Sequence, residues 1–279
     1  MTCPRRAGTF DRSGLLRPAA RLGRAQPTTA LPNRLDDNLR AVRERIARAC
    51  ERCGRAPGSV RLVVVTKSVT PQVCAALAGL GQLDLAENRA QALGRKALWC
   101  SERNMAVRWH FLGHVQRNKA RSVVCVAEEI HSVDSLRLLE ALERIAAEER
   151  RRPRIYLEVD FTQVSVRTGL APQEVPALAR AARGLQHVAL VGLMTIAPLP
   201  AAGADDPLHA ARRTFARLRA LRDELPPELF QDGRALLSMG MSSDFELAIE
   251  QGADIVRVGS ALFEGLGPQP GALLSEGAL

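Results

Sequence analysis

Between residues 34 and 265, short apolar runs alternate with longer segments whose apolar residues recur every three or four positions. The first such segment predicts a helix from a cap at Asn33 to just before Gly54, with Leu35, Leu39, Val42, Ile46, Ala49 and Cys53 on one face. Val63-Val64-Val65-Thr66-Lys67 comes next, a β-branched run that suits a strand buried on both faces. The same alternation predicts strands over 83–88, 107–112, 155–160, 188–194, 235–237 and 254–258. It predicts helices over 70–80, 89–98, 172–183, 207–224 and 243–251, and one from a cap at Asp134 or Ser135 to about 149. Residues 116–121 read as a short helical turn, and 123–126 and 130–133 as the next two apolar runs.

Strands separated by helices predict parallel pairing through right-handed crossovers. The strand count is roughly eight, which favours an α/β fold of one closed (β/α)8 TIM-like barrel over an open doubly wound sheet. No GxGxxG or GxxxxGK[ST] follows the first strand, so neither a dinucleotide nor a P-loop site is expected there.

Composition changes this picture only at the ends. A chain of 279 residues with 46% apolar content fits one barrel. The net charge of +9 is concentrated in residues 1–33, where Arg5, Arg6, Arg12, Arg17, Arg21 and Arg24 face only Asp11, so the arm carries +5 and the rest +4. Its composition fits a disordered arm, with an organellar transit peptide as the other reading. Because the body is only mildly basic, nucleic-acid binding is discounted. No apolar stretch is long enough to span a bilayer and no signal-peptide core is present, so a cytoplasmic protein without membrane association is expected. Six cysteines without a regular framework fit a reducing compartment, and Cys50 and Cys53, at a helix end with no second pair, read as structural filler. The expected organisation is an arm over 1–33, a barrel over 34–265 and a tail over 266–279.

The chemistry should lie at the carboxyl ends of the strands, which form the ligand face of α/β folds. Lys67 ends the first strand there. Ser238-Met239-Gly240-Met241-Ser242-Ser243-Asp244 and Val258-Gly259-Ser260-Ala261 each lead from a late strand into a helix, offering unpaired N–H groups and hydroxyls to an anion. Barrels often hold phosphate after the seventh and eighth strands. Arg257 sits in an otherwise apolar run and needs an acidic or ligand partner. An amine that can form an imine, an anion cup and a fixed cation together suit pyridoxal 5′-phosphate (PLP).

Seven stretches carry a resemblance in sequence order. They are Val64 to Lys67, Glu87-Asn88-Arg89-Ala90-Gln91, Trp109 to Lys119, His131-Ser132-Val133-Asp134, Gly192 to Pro198, Leu237 to Asp244, and Val256 to Phe263. Together they resemble the pyridoxal phosphate homeostasis protein family. The resemblance implies a fold-type-III PLP-binding barrel like the N-terminal domain of alanine racemase, with PLP held as an internal aldimine on Lys67. It further implies that Arg257 faces the pyridine nitrogen, that Ser242, Ser243, Gly259 and Ser260 serve the phosphate, and that Asn88 and Met194 line the ring pocket, with His110 close by. The chain departs from the family pattern at Ala86, where glycine is usual, at Phe263-Glu264-Gly265, and in the loop over 160–169. A partner tyrosine for two-base racemisation is not expected, since Tyr156 lies inside a predicted strand. The expected function is therefore PLP homeostasis by a monomer, buffering or delivering the cofactor to PLP-dependent apo-enzymes without turnover. The alternatives are a PLP-dependent racemase, deaminase or lyase using Lys67 as sole base, and a Schiff-base aldolase or phosphate-binding isomerase without PLP.

Overall fold

The computed structural model describes residues 30–162, 168–198 and 206–266. Eight parallel strands close into a barrel in strict chain order. They are β1 (Arg61–Val65), β2 (Asp84–Glu87), β3 (Arg108–Phe111), β4 (Glu129–Val133), β5 (Arg154–Glu158), β6 (Ala189–Met194), β7 (Leu236–Ser238) and β8 (Ile255–Val258). The ring closes where β1 meets β8, with Val63 opposite Arg257 and Val64 opposite Val258.

Around the strands run α1 (Ala30–Arg52), α2 (Pro71–Gly79), α3 (Ala90–Ser101), α4 (Ala120–Val124), α5 (Leu136–Glu148), α6 (Val175–Arg183), α7 (Pro207–Glu224), α8 (Phe245–Glu250) and α9 (Ser260–Phe263). Ser135 caps α5, its hydroxyl accepting from the Leu138 amide at 3.3 Å. The apolar run over 123–126 belongs to the end of α4 and the turn after it, not to a strand. A stretch that short has no periodicity to separate strand from helix. The leading helix α1 covers the seam of the barrel. Arg45 pairs with Glu246 on α8 at 2.7 Å, and Asn38 donates to the Leu262 carbonyl on α9 at 3.0 Å.

The main core fills the layer between barrel and helices, where outward residues such as Val64, Leu85 and Leu193 meet Leu77, Leu93 and Phe215. Inside the barrel the apolar filling is small, consisting of Val63, Ala86, Tyr156, Ala189, Val191, Met194 and Ile255. The strand starts are charged. Arg61 holds the Glu129 carboxylate with two bonds at 2.7 and 2.8 Å, and Arg108 donates to Asp84 at 2.9 Å, which closes the floor with ion pairs. The mouth at the opposite end is left to the loops.

The basic arm expected over 1–33 and the tail over 266–279 lie outside the described residues, apart from residues 30–33, which begin α1, and Leu266. Residues 163–167 of the divergent loop also lie outside them. Among the described residues no helix is long and apolar enough to cross a membrane.

Candidate cofactor site

Side chains alternate across a strand, so the inward positions Val63 and Val65 carry Lys67 onto the interior side just beyond β1. Lys67 is exposed at the mouth. The residue before it is fixed. Thr66 is fully buried, and its hydroxyl donates toward the Ala86 carbonyl and the Glu87 carboxylate, both at 3.0 Å. Behind it, Lys96 of α3 donates to the Thr66 carbonyl at 2.6 Å and pairs with Glu87. The neighbouring Cys74 thiol is pushed up to about 12 by burial, against the opposing charge of Lys96, so it is an inert filler.

Arg257 is inward on β8 and 4% exposed. One guanidinium nitrogen donates to the Ser238 carbonyl at 2.6 Å and to its hydroxyl at 2.8 Å, while the other donates to the Thr195 carbonyl at 2.9 Å. Burial lowers its pKa to about 10, and the charges of Asp244 and Glu158 pull the other way, so it remains a cation at neutral pH. Among the described residues no acceptor is paired with its Nε–H. Met194 ends β6 opposite Glu158 in register and is buried in the inner apolar cluster.

The two glycine- and serine-containing turns meet each other and the Lys67 strand. Gly240 takes φ +93°, and a Cβ there would stand 2.6 Å from the Ala248 Cβ, so only glycine fits. The Met241 amide donates to Asp244 at 2.6 Å, and the Gly259 amide donates to the Ser242 hydroxyl at 3.2 Å. Gly259 packs on β1, where a Cβ would lie 3.2 Å from the Val65 carbonyl. Ser243 and Ser260 are exposed beside these contacts. The amides of Phe245 and Leu262 are already bonded, to the Met241 and Gly259 carbonyls at 2.9 Å, whereas among the described residues no acceptor is paired with the amides of Ser242, Ser243, Ser260 and Ala261, so these are the donors the cup presents. Burial also pushes the Asp244 carboxyl up, with the Met241 amide bond pulling the other way.

Asn88 follows β2 on the rim and is exposed. Its backbone lies beneath Gly113, where a Cβ would come within 2.0 Å of the Asn88 carbonyl. Asn88 also lines a cleft of about 290 Å³ with Phe111, His114, Gln116 and Lys119.

This geometry can be set beside known proteins. Residues 37–266 match the sequence family described as alanine racemase, N-terminal domain. The pyridoxal phosphate homeostasis protein of Aquifex aeolicus is 35% identical over 227 residues, spanning 81% of this chain and 96% of that protein. That of Pseudomonas aeruginosa is 36% identical over 228 residues, spanning 81% and 94%. The chain belongs to the pyridoxal phosphate homeostasis protein family. Among solved structures, PipY of Synechococcus elongatus with PLP bound has 34% identity and a TM-score of 0.70, covering 82% of this chain and 99% of its own. An alanine racemase of Clostridium difficile, 14% identical with a TM-score of 0.60, shares the fold.

Within this family member, Lys67, Arg257, Ser242, Ser243, Gly259 and Ser260 gather at the closing seam of β1, β7 and β8, and Met194 stands on β6 beside β7. Asn88 is on the rim beside β1. His110 is elsewhere: it is buried on β3, hydrogen-bonded to Asp84 at 3.1 Å, toward the floor. Tyr156 is also at depth, donating to Glu129 at 2.7 Å, and burial pushes its pKa far up. Three contributors escape a reading by residue type: the Ser238 side chain, the Thr195 carbonyl and Glu158. Strand parity identifies Ser238 and Glu158 once the strand ends are known, but nothing in the sequence marks the Thr195 carbonyl.

Proposed function

We propose that this chain binds PLP at the barrel mouth, attached reversibly through the Lys67 amine, and that it stores and delivers the cofactor in the cytoplasm without turning over a substrate of its own. The observation that carries this reading is the packing of Gly259 on the strand that presents Lys67, which brings an exposed amine beside a cup of N–H donors. PLP, when bound, supplies an aldehyde that condenses with an amine and a ring that withdraws electrons.

The residues fit that group. The cup at 240–243 and 259–260 would take the phosphate, Met194 and Asn88 would flank the ring, and Arg257 would face the ring nitrogen as a donor. A guanidinium held as a cation there leaves the nitrogen unprotonated, which weakens the ring as an electron sink. The chain's one tyrosine is buried near the floor and cannot serve as a base at the mouth. Both features support storage over catalysis. The 34% identity to PipY, solved with PLP, and the names of the bacterial relatives support the cofactor. Recipients would be PLP-dependent apo-enzymes, supplied by a monomer.

The purified protein should be yellow, lose its visible band on borohydride reduction, and carry the added mass on the Lys67 peptide. Lys67→Ala should abolish all three. Mass on another lysine, or no band on adding PLP, would overturn the assignment. A second reading is favoured by one group: Glu158, buried near Arg257 with its carboxyl lifted to about 7 by burial, has the properties of a general base. Steady amino-acid turnover that is lost in Lys67→Ala would favour an enzyme over a store.

A further inference from the structure

From Arg257 to the floor, the barrel interior contains an unbroken file of hydrogen-bonded side chains. Arg257 donates to the Ser238 hydroxyl at 2.8 Å, and that oxygen lies 2.9 Å from His131 Nδ1. His131 Nε2 lies 3.0 Å from His110 Nδ1, and His110 Nε2 lies 3.1 Å from Asp84 Oδ1. Asp84 also takes Arg108, whose side chain reaches solvent at the floor. His131, Ser238, His110 and Asp84 are all buried. His131 stacks on Tyr156 with ring centroids 4.2 Å apart and planes at 11°, which fixes the orientation of its nitrogens.

The ends of the file set its direction. Burial alone would raise the Asp84 carboxyl, but the hydrogen bonds from His110 and Arg108 outweigh it and hold the group well below the usual carboxylate range. Asp84 is therefore an acceptor, and His110 Nε2 carries a proton. Only one proton fits between two ring nitrogens 3.0 Å apart. Burial drives the His131 pKa well below its ordinary value, with nearby positive charge adding to it, so that ring is neutral. In the arrangement that satisfies every member, His131 Nε2–H donates to His110 Nδ1, and Ser238 O–H donates to His131 Nδ1. The serine lone pair is then offered to Arg257.

We propose that Ser238, His131 and His110 are positioning residues, forming a one-way hydrogen-bonded chain anchored on Asp84 that fixes the Arg257 guanidinium as an N–H donor toward the ligand at the mouth. The ligand half of this inference rests on the PLP reading; the proton arrangement is a property of the chain alone. The nearest competitor uses the same atoms. His110 Nδ1, His131 Nε2 and an oxygen of Glu129 lie within 4.8 Å of one another, close enough to hold a metal ion. That oxygen already accepts from Tyr156 at 2.7 Å and from Arg61 at 2.8 Å, so an added dication would face a guanidinium already in contact with its ligand. The one-way chain satisfies every group without an ion.

Two measurements on the full chain test it. NMR of histidine-labelled protein should show His110 and His131 both neutral and both protonated on Nε2. His131 protonated on Nδ1, or one equivalent of zinc carried through purification, overturns the proposal. PLP titration followed by visible absorption should give about tenfold weaker binding and a displaced band in Ser238→Ala, as expected for losing a hydrogen bond to a charged group. Ser238→Thr, which keeps the hydroxyl, should restore both, and His131→Phe, which keeps the stack on Tyr156, should behave as Ser238→Ala. A folded Ser238→Ala protein with wild-type affinity and band overturns the positioning role. Should the wild type bind no PLP, the functional reading fails while the tautomers still decide the chain, as they do if His131→Phe does not fold.

Discussion

The ammonium of Lys96 on α3 reaches the carbonyl of Thr66 at 2.6 Å, one residue before Lys67. The same ammonium pairs with Glu87, and both side chains are buried, so an ion pair behind the barrel wall anchors the strand end that presents the amine. One Glu87 oxygen accepts from both Lys96 and the Thr66 hydroxyl, and the other has no hydrogen-bond partner among the described residues.

Removing one member of a buried pair strands the other charge. Lys96→Met should lower the unfolding free energy by about 3–5 kcal/mol in urea titrations. It should also weaken PLP binding by freeing Thr66. Combining it with Glu87→Gln should recover most of the stability, since the uncompensated carboxylate is gone. A single-variant loss below about 1 kcal/mol would contradict the anchoring role.

Glu158 gives a pH signature. Its carboxyl is lifted from the ordinary 4.5 to about 7, by burial first and the charge of Asp134 next, with Arg257 opposing. Between those values the folded protein binds a proton that the unfolded chain does not, so this group's stabilisation is present below about 4.5 and is lost as pH rises through 7. The full extent is on the order of 3 kcal/mol. His131 has the opposite sign: folded, it refuses a proton that the unfolded chain accepts below about 6.5. Subtracting the unfolding free energies of Glu158→Gln from those of the wild type isolates the first effect. That difference should fall steadily over pH 4.5–7; a flat difference would rule the shift out.

Arg257→Lys should not be conservative. A lysine amine cannot span Ser238 and Thr195 with the planar fork that Arg257 uses. Its pKa also starts roughly two units lower, so the burial that brings Arg257 to about 10 would carry a lysine toward its neutral form. PLP affinity should drop by about tenfold or more, and the bound cofactor's spectrum should become pH-dependent in the variant alone. Unchanged affinity would separate Arg257 from the ligand.

Two glycines should respond oppositely to alanine. At Gly192 a Cβ would lie 2.1 Å from the Leu236 carbonyl, so β6 and β7 could not keep their spacing. Gly192→Ala should cost about 3 kcal/mol or more, above the usual range for overpacking because the obstacle is backbone. Gly94, inside α3, has nothing within 4 Å, and Gly94→Ala should stabilise by about 0.5–1 kcal/mol. Thermal and urea unfolding read both.

The periodicities alone located seven of the eight strands and left β4 as one of two neighbouring apolar runs, because a parallel barrel strand is an apolar run and its crossover helix an amphipathic one. They also placed Lys67, Arg257 and the two glycine turns at strand ends, where α/β folds hold ligands. Pattern could not assign the run over 123–126, which is too short to show a period and folds as the end of α4. Nor could it show where the polar residues between strand ends point. Ring closure puts β8 beside β1, and so brings Gly259 against Val65 across nearly two hundred residues of chain. The inward parity of five different strands aligns Arg257, Ser238, His131, His110 and Asp84 into one file. The elements were set by local sequence; which side chains face one another was decided only when the barrel closed, because contacts across it depend on register and parity that no single segment contains.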